Sequence, residues 1–225
     1  MPICGLILVF LILLTGVSPA SPGRIQILGF DPRALPPGIH YQGKVVAGAR
    51  WVDQAGENLL LLCETGYFQS RVSPRSRENP YQEPGWAAAL YGYHYVKTKD
   101  KFALLWKLSD FIKICPFDLE LAFLPNSLTI TDLDQNGIAE STFLYKLACR
   151  GDVSPAQLKL IMHEGKAKYA LRGETLVNIG QLEGGPPRKI GGKHTVDPAF
   201  NRAPKVFLNH ALQQWNAFVE ERFGN

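Results

Sequence analysis

Several chemical signatures are missing from this chain. It has no Gly-x-Ser-x-Gly elbow, no phosphate-cradling glycine-rich loop and no His-Glu-x-x-His helix. The common sequence marks of serine hydrolases, nucleotide-binding enzymes and zinc proteases are therefore lacking. No repeat with a period of roughly 20 to 50 residues holds, which argues against a solenoid or a full propeller. Excess charge of one sign is scarce: 24 Lys and Arg stand against 20 Asp and Glu, a net +4. That balance leaves no electrostatic footprint for nucleic acid. What is present is ordinary globular material, 225 residues of which 46% are hydrophobic, enough for one sizeable core or two small ones.

The one long apolar run is at the start. "ICGLILVFLILL", Ile3 to Leu14, precedes the small-residue stretch "TGVSPASPG" and is shorter than the roughly 18 to 20 residues a spanning helix needs. Ser18 and Ala20 suit the −3 and −1 positions of a cleavage site. Residues 1–20 therefore read as a signal peptide, although no Lys or Arg precedes the apolar run. The expectation is an exported protein, periplasmic or extracellular, with no stable membrane span after cleavage. Cysteine is also sparse, and after cleavage Cys63, Cys115 and Cys149 remain, in a compartment where disulfides persist. Cys63 sits in "NLLLLCE" and reads as a buried strand residue. Cys115 and Cys149 each end an apolar run and are expected to pair; the alternative is three buried thiols.

The predicted fold class is mainly β, an antiparallel meander closed as a sandwich, a barrel or a partial propeller, with a C-terminal amphipathic α-helix. "KVVAGARWV", "NLLLLCETGYF", "AALYGYHYVK", "FALLWKLSDF", "LELAF", "SLTITDL", "AESTFLYKLA", "QLKLIMHE" and "AKYALRG" are of strand length and are separated by turn residues. Connections this short suit antiparallel neighbours. Residues 21–42 form an extended lead-in and 43–179 the β domain. Residues 180–203 are a Gly/Pro-rich basic loop, and 204–225 a helix packed on the sheet. In that helix Leu208, Ala211, Leu212, Trp215, Phe218 and Val219 make one apolar face. The polar stretch "SRVSPRSRENPYQEPG", residues 70–85, is a second loop.

"TITDLDQNGIAESTFLY" carries the clearest chemistry. Asp132, Asp134 and Asn136 fall at alternate positions, Gly137 suits a tight curl, Ile138 offers a carbonyl and Glu140 a further carboxylate. A hard dication wants six to eight oxygens at about 2.3 to 2.6 Å, and a loop of this kind supplies them. The flanks are strand-like and position 12 is Phe143, so this is not an EF-hand. The loop resembles the Asp-x-Asp-x-Asn-Gly calcium loops of integrin-type propeller repeats, and that resemblance implies Ca2+ as a structural cofactor. A plain "NG" hairpin turn with solvated acids is the competing reading. "WVDQAGENLLLL" overlays on "LDQNGIAESTFL", setting Asp53 on Asp134 and Gly56 on Gly137, but the first copy lacks the other ligands. It reads as structure only.

From "ITDLDQNGIAESTFLYKLACRGDVSPAQLKLIMHEGKAKYALRG", with "LYGYHYV" and "LWKLSDF", the chain is similar to a family of exported bacterial proteins labelled surface-polysaccharide biosynthesis proteins. The resemblance spans most of residues 43–175. It implies a place at the cell envelope and brings no catalytic residues.

Other candidates are weaker. Tyr91, Tyr93 and Tyr95 form a row that, with Trp86 nearby, is able to stack on sugar rings, with His94 on the opposite face; cross-strand packing is the plainer reading. His163 has no second histidine at helical spacing and reads as a strand end. Arg150-Gly151-Asp152 reads as a turn. Glu57, Glu64, Asp110, Asp118 and Glu120 are the acids from which a glycosidase pair would be drawn. The expected role is a non-catalytic, calcium-stabilised binding or scaffold module linked to surface polysaccharide, its partner a cell-surface glycan or an envelope protein. One alternative is an envelope glycan-processing enzyme. Another is a membrane-associated protein that uses an uncleaved N-terminus or the C-terminal helix.

Overall fold

A computed structural model describes residues 25–180, 185 and 188–221. The expected signal segment, residues 1–20, lies outside the described residues, as do 181–184 and 186–187 of the basic loop.

The chain builds two antiparallel sheets one after the other. The first contains β1 (Gln26–Leu28), β2 (Lys44–Asp53), β3 (Gly56–Glu64), β5 (Trp86–Thr98) and β6 (Lys101–Cys115), paired in that order. The two-residue β4 (Phe68–Gln69) joins the start of β5. The second contains β7 (Asp118–Phe123), β9 (Glu140–Arg150), β10 (Gln157–Glu164), β11 (Ala167–Glu174) and β14 (His194–Val196), neighbours in that order. The short β8 (Thr129–Thr131) also pairs with β9. A small third sheet joins β12 (Leu176–Asn178) to β13 (Lys189–Gly191) and, in parallel, to β15 (Glu220–Glu221). Among the described residues no barrel closes. Of the expected closures, the packing is sandwich-like.

Strand alternation explains the layers. Leu60 and Leu62 of β3 face the second sheet and pack with Trp51, Leu90, Phe143, Tyr145 and Ile161. Leu59, Leu61 and Cys63 face the other way, under Phe30, Leu35 and Ile39 of the lead-in segment. Both faces of β3 are covered, so its sequence is a continuous apolar run rather than an alternating one. The outer face of the second sheet carries Leu158, Leu160, Met162 and Leu171 and is covered by helix α1 (Lys205–Phe218). The helix buries Phe207, which the expected stripe left out, together with Ala211 and Trp215, while Leu208 and Leu212 are half-buried at its sides.

Chain and disulfide cross between the sheets at one place. Pro116 and Phe117 connect β6 to β7, and Cys115 bonds to Cys149 of β9 with their Cα atoms 5.5 Å apart. Cys63 stays a free, buried thiol. Two expectations need correction. The loop 180–203 contains β13, β14 and a 3-10 turn, Pro198–Arg202, capped by the Asp197 carboxylate accepting from Ala199 N–H at 3.0 Å. The helix ends at Phe218, after which the chain straightens into β15 beside β12.

Candidate metal centre

Glu140 opens β9 and is fully buried. Its Oε2 accepts from Thr131 Oγ1 at 2.9 Å and from Leu133 N–H at 3.0 Å. Its Oε1 is buried with no hydrogen-bond partner. One oxygen each from Asp132, Asp134 and Glu140 lies within 4.8 Å of the other two. At that spacing each pair of ionised carboxylates repels by about 3 kcal/mol at an effective dielectric near 20. Burial pushes the Glu140 carboxyl up to about 7, against the Leu133 and Thr131 hydrogen bonds, and Asp134 raises it further.

The loop backbone is built to hold the acids together. Gln135 and Gly137 both take positive φ, 60° and 81°. Asp132 accepts from Gly137 N–H at 3.2 Å, Asp134 from Asn136 N–H at 3.2 Å, and Asn136 Oδ1 from Ile138 N–H at 2.7 Å. The β2–β3 turn grips the loop from the first sheet. Asp53 Oδ2 accepts from both Trp51 Nε1–H, at 3.0 Å, and Ala139 N–H, at 3.1 Å. Gln54 N–H donates to the Gly137 carbonyl at 2.9 Å. The two segments that echo each other in sequence thus meet in space, one clamping the other.

Of the five expected ligands, the structure gathers Asp132, Asp134 and Glu140. Asn136 differs from expectation: it faces its neighbours through its amide nitrogen, which donates to Asp134 Oδ2 at 3.1 Å and to Glu164 Oε1 at 2.6 Å. Ile138 is seen engaged through its N–H. Glu164 was not read as part of this group. It stands opposite Glu140 in the β9–β10 register, and nothing local in "IMHEGK" reveals that pairing.

The tyrosine row is not an open platform. Tyr93 and Tyr95 are buried under the lead-in segment, where Tyr93 Oη accepts from Gln42 N–H at 3.1 Å and Tyr95 Oη donates to the His40 carbonyl. Tyr91 is half-buried, with the Lys107 ammonium 5.1 Å from its ring centre; Trp86 alone is well exposed. As alternation implied, His94 points the other way, into the inter-sheet core between Trp51 and Trp106.

The candidate acids are mostly engaged. Glu57 pairs with Arg50 and Lys97, and Asp110 accepts from Tyr145 Oη at 3.0 Å and pairs with Lys159. Asp118 is exposed. Glu64 and Glu120 share a cleft of about 680 Å³ between the sheets. Glu120 is paired with Lys146 at 2.8 Å and Arg150 at 3.4 Å. Glu64 accepts from Phe123 N–H at 2.7 Å, and burial raises its carboxyl above the ordinary range. The Arg150-Gly151-Asp152 turn is structural: Arg150 pairs with Glu221 and Asp152 caps Ser154 N–H at 2.9 Å.

Compared with family models, with curated proteins and with solved structures, the chain matches none.

Proposed function

We propose that this chain is an exported, non-catalytic module of the cell envelope that binds or scaffolds a partner linked to surface polysaccharide, and that a calcium ion at the 132–140 loop stiffens it. One observation carries the ion: the buried Glu140 carboxylate, one of whose oxygens has no partner, stands beside Asp132 and Asp134. A dication supplies the missing partner and cancels the repulsion together. An all-oxygen set on a curling backbone suits calcium better than the softer, nitrogen- and sulfur-seeking metals. The role is mechanical, because the same loop is clamped through Asp53 and Gln54 to the other sheet.

Calorimetric melts with calcium and with a chelator test this reading. Calcium at about a hundred times its dissociation constant adds about 2.7 kcal/mol, and Asp134→Ala abolishes the shift. A midpoint indifferent to both withdraws the ion. Mass spectrometry of the exported protein, expected to begin at Ser21, tests the envelope placement.

A second reading, an envelope glycan-processing enzyme, draws on the Glu64–Glu120 cleft. There Glu64, held toward its protonated form, would act as the acid and Glu120 as the base. Lys146, at 2.8 Å, and Arg150, at 3.4 Å, already occupy Glu120 in ion pairs, so the binding module is preferred. Loss of glycan hydrolysis in both Glu64→Gln and Glu120→Gln would reverse that order.

A further inference from the structure

The longest strand of the first sheet has a bare edge. Among the described residues β6 pairs with β5 alone. On either side of a bulge at Leu105, alternate N–H and C=O groups along it therefore face away from the sheet, a template for another strand. Phe111 N–H is already occupied by the Asp110 side chain at 3.0 Å, so the open stretch runs from Lys101 to Asp110.

What the edge overlooks is set by three contacts. Trp106 stacks on His163 of β10, and Asp110 binds Tyr145 of β9 and Lys159 of β10. These seat β6 above β9 and β10. The next strands of the second sheet, β11 and β14, extend past it. On the face they turn toward the first sheet, Ala170 is buried, but Lys168 and Arg172 on either side of it are exposed, as is Lys193 just before β14. A groove of about 650 Å³ runs over this shelf, with Lys159, Arg172, Lys193 and Thr195 in its lining.

The shelf is cationic on balance, with Lys159, Lys168, Arg172 and Lys193 set against Asp110, Asp197 and Glu174, the last of which also lines the groove. Lys159 and Arg172 are each matched by one carboxylate, Asp110 and Asp197. Lys168 and Lys193 form no ion pair among the described residues. Partial burial, with the nearby Arg172 and Lys159 adding to it against Asp197 and Asp110, pushes the Lys168 ammonium below its ordinary value. Lys101 and Lys107 lie on the edge strand itself. Lysines there oppose pairing with a second copy, which would set like charges together.

We propose that this bare edge and the cationic shelf beside it receive an extended acidic polypeptide segment, added to the first sheet as a further strand on β6. Main-chain hydrogen bonds to Lys101–Asp110 supply affinity, and alternate acidic side chains pointing at Lys168, Arg172 and Lys193 supply selection. The inference rests on the binding-module reading above but uses none of its ion ligands.

Fluorescence anisotropy with a labelled alternating Val-Glu octapeptide tests it. Binding is expected, about tenfold weaker or more for the Val-Ser analogue and for the Lys168→Glu/Lys193→Glu variant. The same acidic peptide N-methylated at alternate residues, which keeps its charge and loses its strand hydrogen bonds, should not bind. Unchanged melting of the variant shows that it is folded. Absence of Val-Glu binding overturns the proposal. So does equal binding of the N-methylated peptide or of a charge-matched oligogalacturonate, which would make the shelf a general polyanion or glycan site. Sedimentation showing a dimer that Val-Glu dissociates would assign the edge to a second copy and likewise overturn it. Titrations in calcium and in chelator separate the two readings, since peptide binding that survives while the calcium shift is absent removes only the ion.

Discussion

Trp106 of the first sheet lies flat on His163 of the second, ring centroids 4.0 Å apart and planes 15° from parallel. His94 meets the edge of the same indole at 5.4 Å. Two histidines and a tryptophan thus form part of the seam between the sheets, where a charged imidazole has little water and no carboxylate partner.

That seam sets an acid limit. Burial pushes His163 down to about 3, with Lys168 and His94 adding to the effect, and pushes His94 down to about 4 against a small opposing pull from Asp53. Below the ordinary value of 6.5 the unfolded chain takes up protons that the folded chain refuses. Stability is therefore full above that value and falls as pH drops through the window toward 4, by about 1.4 kcal/mol per pH unit for each histidine. His163→Phe keeps a flat ring on Trp106 and removes one titration. Denaturant midpoints between about pH 7 and pH 5 should fall less steeply in the variant, with the raised Glu140 carboxyl opposing the histidines over the same window in both proteins. Equal slopes would show that His163 already carries its proton in the folded state.

Much of this architecture was readable residue by residue. The alternation in "YGYHYV" placed His94 opposite the tyrosines, and the unbroken "LLLLC" marked a strand covered on both faces. The unreadable part was relational. Roofing of Tyr93 and Tyr95 by residues 40–42, the Glu140–Glu164 register and the clamp from Asp53 to Ala139 all join segments far apart in sequence. The three-residue strands β13 and β14 are too short to show a period. Gly191 and Gly192, both at φ 81°, are turn residues that disguised them as loop.

Gly137 tests whether the loop backbone matters to stability. Its φ of 81° is costly for any other residue, and an added Cβ would lie 2.3 Å from Gln54 Nε2. Gly137→Ala should cost about 1 to 2 kcal/mol from the backbone alone. Because the far end of Gln54 is free to swing away, the remaining loss should be small and should vanish in a Gln54→Ala background. A double-mutant cycle on denaturant midpoints reads both quantities, and an alanine tolerated without loss would contradict the φ argument.

The disulfide closes a span of 34 residues and fastens β6 to β9. Constraint of the unfolded chain is worth about 3 to 4 kcal/mol for a loop of that length. Cys115→Ala/Cys149→Ala should lose that amount, and reductant should destabilise the wild type equally while leaving the double variant unchanged. Burial pushes the remaining thiol, Cys63, up to about 12, so a thiol reagent should label it only after unfolding.

Glu221 locks β15 in place. Its side chain is 3% exposed and meets Arg150, Lys146 at 3.2 Å and Thr175 Oγ1 at 2.7 Å, so β15 is tied to β9 as well as to β12. Burial alone would raise its carboxyl, but Arg150, Thr175 and Lys146 outweigh that and hold it at about 2. A depressed carboxylate stabilises the fold above its ordinary value of 4.5, and that stabilisation is lost as pH falls from there toward 2. Glu221→Gln removes the most buried carboxylate from two largely buried cations, and should cost about 3 kcal/mol. Glu120→Gln, at a position about a third exposed, should cost about 1 kcal/mol or less. Denaturant titrations at neutral pH compare the two, and the Glu221 variant should also show a flatter acid limb. A larger loss at Glu120 than at Glu221 would mean that the cations are held from the cleft side and that β15 is a passenger on the fold.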